Sequence, residues 1–178
     1  DYPVTNTLMG LGAYPGSDRR FLGMLGMHGT YEANMAMHHA DVIIAIGARF
    51  DDRVTNTPGR FCPDAKIIHV DIDPTSISKT VPADIPITGP VGAVLDEMLA
   101  QIEEAQDRDS TLPDRTALDA WWNEIDRWRD AWGIYRQPRY DSSGSLIMPQ
   151  DVIRTLHAVT GGKAFVTSDV GQHQMFAA

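Results

Sequence analysis

Three short runs of β-branched and aliphatic residues, each stopped by turn-forming residues, constrain this chain more than any other feature: VIIAIG at 42–47, KIIHVDID at 66–73 and IPITG at 85–89. Their apolar residues are consecutive rather than alternating, so both faces of each strand are expected to be covered, the pattern of a parallel sheet. The opening PVTNTL reads as another such strand running into the glycine-containing loop MGLGAYPG. Between these runs, GTYEANMAMHHA has helical composition and ends just before Asp41. ISKTVPAD, interrupted by Pro82, supports no more than a turn or a single helical turn. Strand, helix, strand, turn, strand is the grammar of an α/β fold.

From Val91 to about Gln106, Val94, Leu95, Met98, Leu99 and Ile102 recur at helical spacing and should lay one face against the sheet. DRDSTLPD reads as a polar connector. After it, TALDAWWNEIDRWRDAW aligns Leu118, Trp121, Trp122, Ile125, Trp128 and Trp132 on a wide apolar stripe, read as core or interdomain packing. A second break in composition, YRQPRYDSSGSLIMP, clusters Pro, Gly and Ser as interdomain linkers do. MPQDVIRTLHAVT then opens a new amphipathic helix with Pro149 near its first turn, and KAFVTSDVGQHQ reads as a strand running into a loop. The organisation expected is a central domain over 1–108, a helix and linker over 109–145, and the start of a second α/β domain over 146–178.

Composition excludes several classes of partner. With 43% hydrophobic and 22% charged residues the chain has the balance of an ordinary globular protein. No apolar run approaches the roughly 20 residues that span a bilayer, and no secretory signal is visible, so the expected location is cytoplasmic. The net charge is -9 with Lys and Arg scattered, which leaves no basic stripe for a nucleic acid backbone. The single cysteine, Cys62, has no partner for a disulfide or zinc site and is expected to be buried or half-buried. The first residue is not Met and the last ones are apolar, so both ends read as cut.

Residues that could carry chemistry cluster after the apolar runs. Gly10, Gly12, Gly26, Gly29 and Gly47 would let a backbone approach a phosphate or ring closely, although they form no strict GxGxxG and serve equally well as turn glycines. Asp71 and Asp73 sit at the carboxyl end of a strand, where acids bind ribose hydroxyls; Asp73 could instead cap the turn starting at Pro74. RFDDR at 49–53 places two arginines and two aspartates where VIIAIG leaves the sheet. A guanidinium there can hold a carboxylate or phosphate, or the four charges can form an internal ion-pair cluster. MLGMHGT at 24–30 offers Met side chains to a flat ring and a glycine amide to a ligand, with His28 as a structural hydrogen-bonding group. GQHQMF at 171–176 presents donors suited to a diphosphate.

Taken in order, MLGMHGTYEAN, ARFDDRVT, HVDIDPTSISK and TSDVGQHQMF resemble the large catalytic subunit of acetohydroxyacid synthase (acetolactate synthase), from about Pro3 to the last residue. The resemblance implies a parallel, Rossmann-like middle domain that binds FAD, followed by the start of the thiamin-diphosphate-binding domain. It implies that Thr7, Leu8 and Met9, then Leu25, Gly26, Met27, His28 and Gly29, line the flavin. Gly47, Ala48, Arg49, Asp51 and Val54 would continue that site, and Asp71, Ile72, Asp73 and Gly89 would hold its nucleotide side. In that family the flavin does no net redox chemistry. Arg53 matches the arginine that orients the second 2-keto acid, with Met27 and Asp52 lining the substrate channel. Val170, Gly171, Gln172 and His173 match the loop that touches thiamin diphosphate.

One departure is visible. Gly89-Pro90-Val91 stands where the family has Gly-Asp-Val, so one flavin contact loses both a backbone N–H and an acid. By the same resemblance the glutamate that activates thiamin diphosphate lies in an N-terminal domain, and the Mg²⁺ motif beyond residue 178, so no catalytic or metal-binding residue is expected here and the piece alone should be inactive. The implied partners are 2-keto acids, a second copy or three in a homodimer or homotetramer, and a small regulatory subunit. Competing readings are another thiamin-diphosphate enzyme, of the glyoxylate carboligase or pyruvate oxidase type, or a nucleotide-binding module without chemistry.

Overall fold

The computed structural model describes residues 1–134 and 147–178; the proposed linker falls largely at 135–146, outside the described residues. The chain is α/β, with five short strands among the described residues, all paired in parallel. β1 (Val4–Asn6) pairs β2 (Phe21–Met24), while β3 (Val42–Ile46), β4 (Lys66–Asp71) and β5 (Ile85–Thr88) form a second sheet in sequential order. β2 was not expected from sequence. It has four residues and contains Gly23 at φ 94°, too little apolar pattern to stand out.

α1 (Tyr31–His38) is capped by Thr30, whose hydroxyl oxygen accepts from Ala33 N–H at 3.1 Å and which donates to Leu22 O at 2.6 Å. α1 packs against α4 (Arg115–Trp132), and Leu22, Ala33, Ala36, Leu118, Trp122, Ile125 and Trp128 form their shared core. The tryptophan stripe is therefore core packing, except that Trp132 remains 57% exposed. Polar groups rim this core. Trp122 Nε1–H donates to Asp1 O at 2.9 Å, the Arg19 guanidinium lies 4.8 Å from the Trp122 ring centroid, and Arg19 pairs with Asp126 at 2.5 Å.

On the second sheet, Ala45, Phe50, Ile67 and Val81 form a separate core, and Val70 is fully buried in β4. α3 (Val91–Arg108) follows β5 and packs on β4 as expected, but Leu99 and Ile102 stay 57% and 49% exposed. Its N-cap, Pro90, supplies no side-chain cap bond. The expectation that both faces of VIIAIG are covered fails on one side. Val42, Ile44 and Ile46 share a face and stay exposed, because β3 is the edge strand of a three-stranded sheet whose helix sits over β4. Cys62 is buried and free, and burial pushes its thiol up to about 12.

α5 (Pro149–Thr160) forms as expected, with Pro149 in its first turn and Gly161 in the left-handed region just after its end. KAFVTSD, expected as a strand, is not one. Phe165 and Val166 are exposed, and among the described residues no neighbouring strand offers backbone groups to pair with. Among the described residues, no helix is long and apolar enough to cross a membrane.

Candidate functional site

Parallel strands bring their carboxyl ends to one edge, and the loops leaving that edge carry most of the singled-out residues. Leu25 follows β2, Gly47 follows β3, Asp71 ends β4 and Gly89 follows β5. Gly47 N–H donates to Val70 O at 2.8 Å and Gly89 N–H to Asp71 O at 3.0 Å, so the three strand ends of the second sheet are tied together by backbone bonds.

The loop after β2 is joined to the loop after β3 through Gly26. A Cβ at Gly26 would stand 2.4 Å from Arg53 O and 2.9 Å from Val54 Cα, and its φ of 91° lies in the left-handed region. Only glycine fits there. Met27 N–H donates to Arg53 O at 2.8 Å, and Arg53 Nη1 lies 3.9 Å from Met27 Sδ. Gly29 is equally constrained, since a Cβ would meet Met24 O at 2.5 Å. Met27 and Arg53 are thus neighbours, with His28 and Gly29 following Met27 in the same loop.

Two residues that sequence reasoning passed over hold this joint. Asn34, on α1, accepts from Gly26 N–H at 2.8 Å and donates to Gly26 O at 2.9 Å, engaging both backbone groups of that glycine. Thr30 ties the start of α1 to β2. An i, i+8 Gly–Asn pair across a turn leaves no periodic signal, so only the folded chain reveals it.

RFDDR is not simply a loop. Asp51 caps a short helix, α2 (Asp52–Thr55), its carboxylate accepting from Arg53 N–H at 2.9 Å. Arg49 lies 3.6 Å from Asp51, both largely in solvent, which is a weak pair. The internal ion-pair reading therefore accounts for Arg49 with Asp51, while Arg53 has the Met27 sulfur beside its guanidinium. Ala48 packs against the Phe50 core, Asp52 is exposed, and Val54 backs onto Gly26.

On β4, Asp71 is 7% exposed and its Oδ1 accepts from Asp73 N–H at 2.8 Å. Asp73 is exposed and caps the following turn, accepting from Thr75 N–H and Oγ1–H at 2.9 and 2.8 Å; these bonds hold its carboxyl below the usual range. The cap reading of Asp73 is present in the structure, and both acids keep Oδ2 outside these bonds. Ile72 between them is 70% exposed.

A hollow of about 250 Å³ joins Leu8, Met24 and His28 with Val170, Gly171, Gln174 and Met175. It brings Leu8 and His28 from the flavin set to Val170 and Gly171 from the thiamin-diphosphate set. Thr7, which precedes a single 3-10 turn at Leu8–Gly10, and Met9, 91% exposed, do not line it. Nor do Asp71, Ile72, Asp73, Gln172 or His173. GQHQMF, expected as a loop, is largely the six-residue helix α6 (Gln172–Ala177), entered through Gly171 at φ 153°. Without a sheet edge beside it, local hydrogen bonds decide its backbone.

A family model described as "Thiamine pyrophosphate enzyme, central domain" matches residues 1–98. The chain is 53% identical to an acetolactate synthase large subunit of Haemophilus influenzae and 54% identical to the acetolactate synthase isozyme 3 large subunit of Escherichia coli. In each case the match covers 99% of this chain and 29% of the relative. An acetolactate synthase of Mycobacterium leprae is 43% identical over 99% of this chain and 27% of its own length. The chain therefore spans less than a third of the curated relatives it matches. Since the model takes in 98 of its 178 residues and parallel strands form its sheets, the chain belongs to the thiamine pyrophosphate enzymes, through their central domain.

Proposed function

We propose that this chain is the middle part of an acetolactate synthase catalytic polypeptide. That enzyme decarboxylates pyruvate and joins the two-carbon unit to pyruvate or 2-oxobutanoate in valine, leucine and isoleucine synthesis. The observation that carries this reading is the joint at Gly26: the MLGMHGT and RFDDR segments, far apart in sequence, meet where Met27 N–H donates to Arg53 O and Arg53 approaches the Met27 sulfur. That juxtaposition is what a substrate arginine at the mouth of a flavin site requires. The identity of 53–54% across nearly the whole chain supports the same assignment.

The residues fit a flavin nucleotide. Gly26 and Gly29 let the loop after β2 close tightly against Arg53 O and Met24 O at the carboxyl edge, Met27 offers a soft surface to a ring, and Asp71 and Asp73 each keep a carboxylate oxygen for sugar or ribityl hydroxyls. FAD would lie across Leu25–Gly29, Gly47–Arg49 and Asp71–Asp73. Pro90, where the family has an acid, provides neither N–H nor carboxylate, so binding rests on the remaining groups. Arg53 would hold the carboxylate of the second 2-keto acid by charge-assisted hydrogen bonds, with Met27 and Asp52 bordering its approach. Val170–His173 would contact thiamin diphosphate, which when bound supplies the group on which decarboxylation occurs. A Mg²⁺ ion, a homodimer or homotetramer, a regulatory subunit and a cytoplasmic location complete the proposal, as does the division at 108 and 145 into central domain, linker and second domain.

Assay of the full-length gene product for acetolactate from pyruvate tests it. Acetolactate formation that falls on the order of a hundredfold in Arg53→Ala, with KM for the acceptor rising, is the expected outcome. Strong pyruvate oxidation or glyoxylate condensation without acetolactate would replace the proposal by another enzyme of the family.

A further inference from the structure

Three non-glycine residues between 50 and 62 have left-handed backbone: Phe50 and Asn56 at φ 52° and Cys62 at φ 43°. A bulky side chain at positive φ is uncommon and persists only where its surroundings over-determine it. Around Phe50 they do. Its side chain is buried with Ala45, Ile67 and Val81. The ring stands perpendicular to His69 at 5.0 Å and 90°, and near-perpendicular to Phe61 at 5.7 Å and 78°.

His69 is itself unusual. It is fully buried on β4, and neither Nδ1 nor Nε2 has a hydrogen-bond partner. A buried unpaired polar group opposes folding, and an aliphatic side chain would fill the space without that cost, so packing alone does not account for an imidazole here. What the imidazole adds is a flat ring set at right angles to Phe50, an arrangement aromatic rings favour. Directly beside the buried Phe50, the side chains of Arg49 and Asp51 are 75% and 46% exposed.

We infer that Phe50 and His69 are positioning residues, a pair of perpendicular rings that latches the RFDDR segment onto β4 and thereby turns Arg49 and Arg53 toward the ligand edge. The latch works through the backbone. With the Phe50 ring fixed inward at left-handed φ, the flanking charges are held outward, and α2 starts at Asp52, where Arg53 O receives Met27 N–H. This inference rests on the flavin and 2-keto acid reading above for what the edge binds, but the holding of the segment is a property of the chain itself.

The test uses the full-length protein with Phe50→Leu, Phe50→Tyr and His69→Leu, and reads two quantities. One is hydrogen exchange at the amides of Val54 and Thr55, which donate to Asp51 O, against amides of α4 as reference. The other is FAD affinity by fluorescence quenching. Phe50→Leu is expected to speed exchange at those two amides and weaken FAD binding, each about tenfold, with α4 unchanged. Phe50→Tyr keeps the ring at right angles to His69 and should leave FAD affinity at the parent's level. His69→Leu removes the unpaired nitrogens, so its thermal midpoint should stay level or rise while FAD affinity falls about threefold, a split that a merely structural role would not produce. It also carries the test if Phe50→Leu does not fold. Unchanged FAD affinity in Phe50→Leu and His69→Leu overturns the latch, whether or not exchange quickens. If the unsubstituted protein binds no FAD, the flavin reading falls by itself, and exchange alone decides: faster exchange in Phe50→Leu upholds the latch, and unchanged exchange overturns it.

Discussion

Helices α4 and α5 carry the same kind of message in sequence and meet different fates. Both have an apolar stripe at helical spacing, and both have a clear first turn, Asp114 capping α4 through Ala117 N–H and Pro149 opening α5. Yet α4 buries Leu118, Trp122, Ile125 and Trp128, whereas no residue of α5 is buried, with Val152 at 53% and Val159 at 80% exposure. The difference is not propensity but supply. α4 meets α1 and the β1–β2 pair, which bring Leu22, Ala33 and Ala36 to its stripe; among the described residues nothing comparable faces α5. A hydrophobic period says which face wants burial, and only the arrangement of other elements says whether it obtains it.

The largest effect that could break this comparison is at Trp122. Trp122→Ala removes a buried ring, the hydrogen bond to Asp1 O and the face under Arg19, and should cost about 3–5 kcal/mol in urea unfolding. A loss under about 1 kcal/mol would mean that α4 is not the keystone it resembles.

A smaller effect comes from the polar rim beside β2. Arg20 donates from Nε and Nη2 to the Asp18 carboxylate at 2.9 and 2.6 Å, and with the Arg20 backbone N–H this holds the Asp18 carboxyl well below the usual range. A depressed folded-state value means that the stabilisation is fully present above the unfolded value of about 3.9 and is lost as pH falls through the lower folded value. Urea midpoints followed from pH 6 down to pH 2 should therefore fall less steeply in Asp18→Asn than in the parent. Because the pair is partly exposed, 0.5 M salt should shrink the gap. Parallel pH profiles would show that the rim adds nothing.

The smallest effect belongs to α5. Leu156→Ala, at a side chain already 42% exposed, should change the stability of this chain by no more than about 0.5 kcal/mol. A cost of about 2 kcal/mol or more would show that α5 has a covering surface after all and would erase the contrast with α4.

How far the site could be read in advance follows the same division. The strand-end positions Gly47, Asp71 and Gly89 were legible because β-branched runs stopped by turn residues announce where a parallel strand ends. Gly26 was legible as a glycine but not as the point where Arg53 O presses close, and Asn34, which fixes it, was invisible. β2 was missed because four residues around a glycine at φ 94° carry no alternation. KAFVTSD was misread for the opposite reason: its composition suits a strand, but strand hydrogen bonds need a neighbour.

By itself the sequence determined the local grammar: parallel α/β organisation, the helices at 31–38, 91–108, 115–132 and 149–160, and the loops from which a ligand edge would be built. These follow from φ/ψ preference and apolar spacing, which act within a few residues. The tertiary structure decided the rest. It set Met27 beside Arg53, buried Phe50 against His69 while leaving its charged neighbours outside, opened one face of β3 and sealed the stripe of α4. Each of these is a meeting between residues distant along the chain, fixed by close packing and by which backbone groups find partners, quantities that no local pattern encodes.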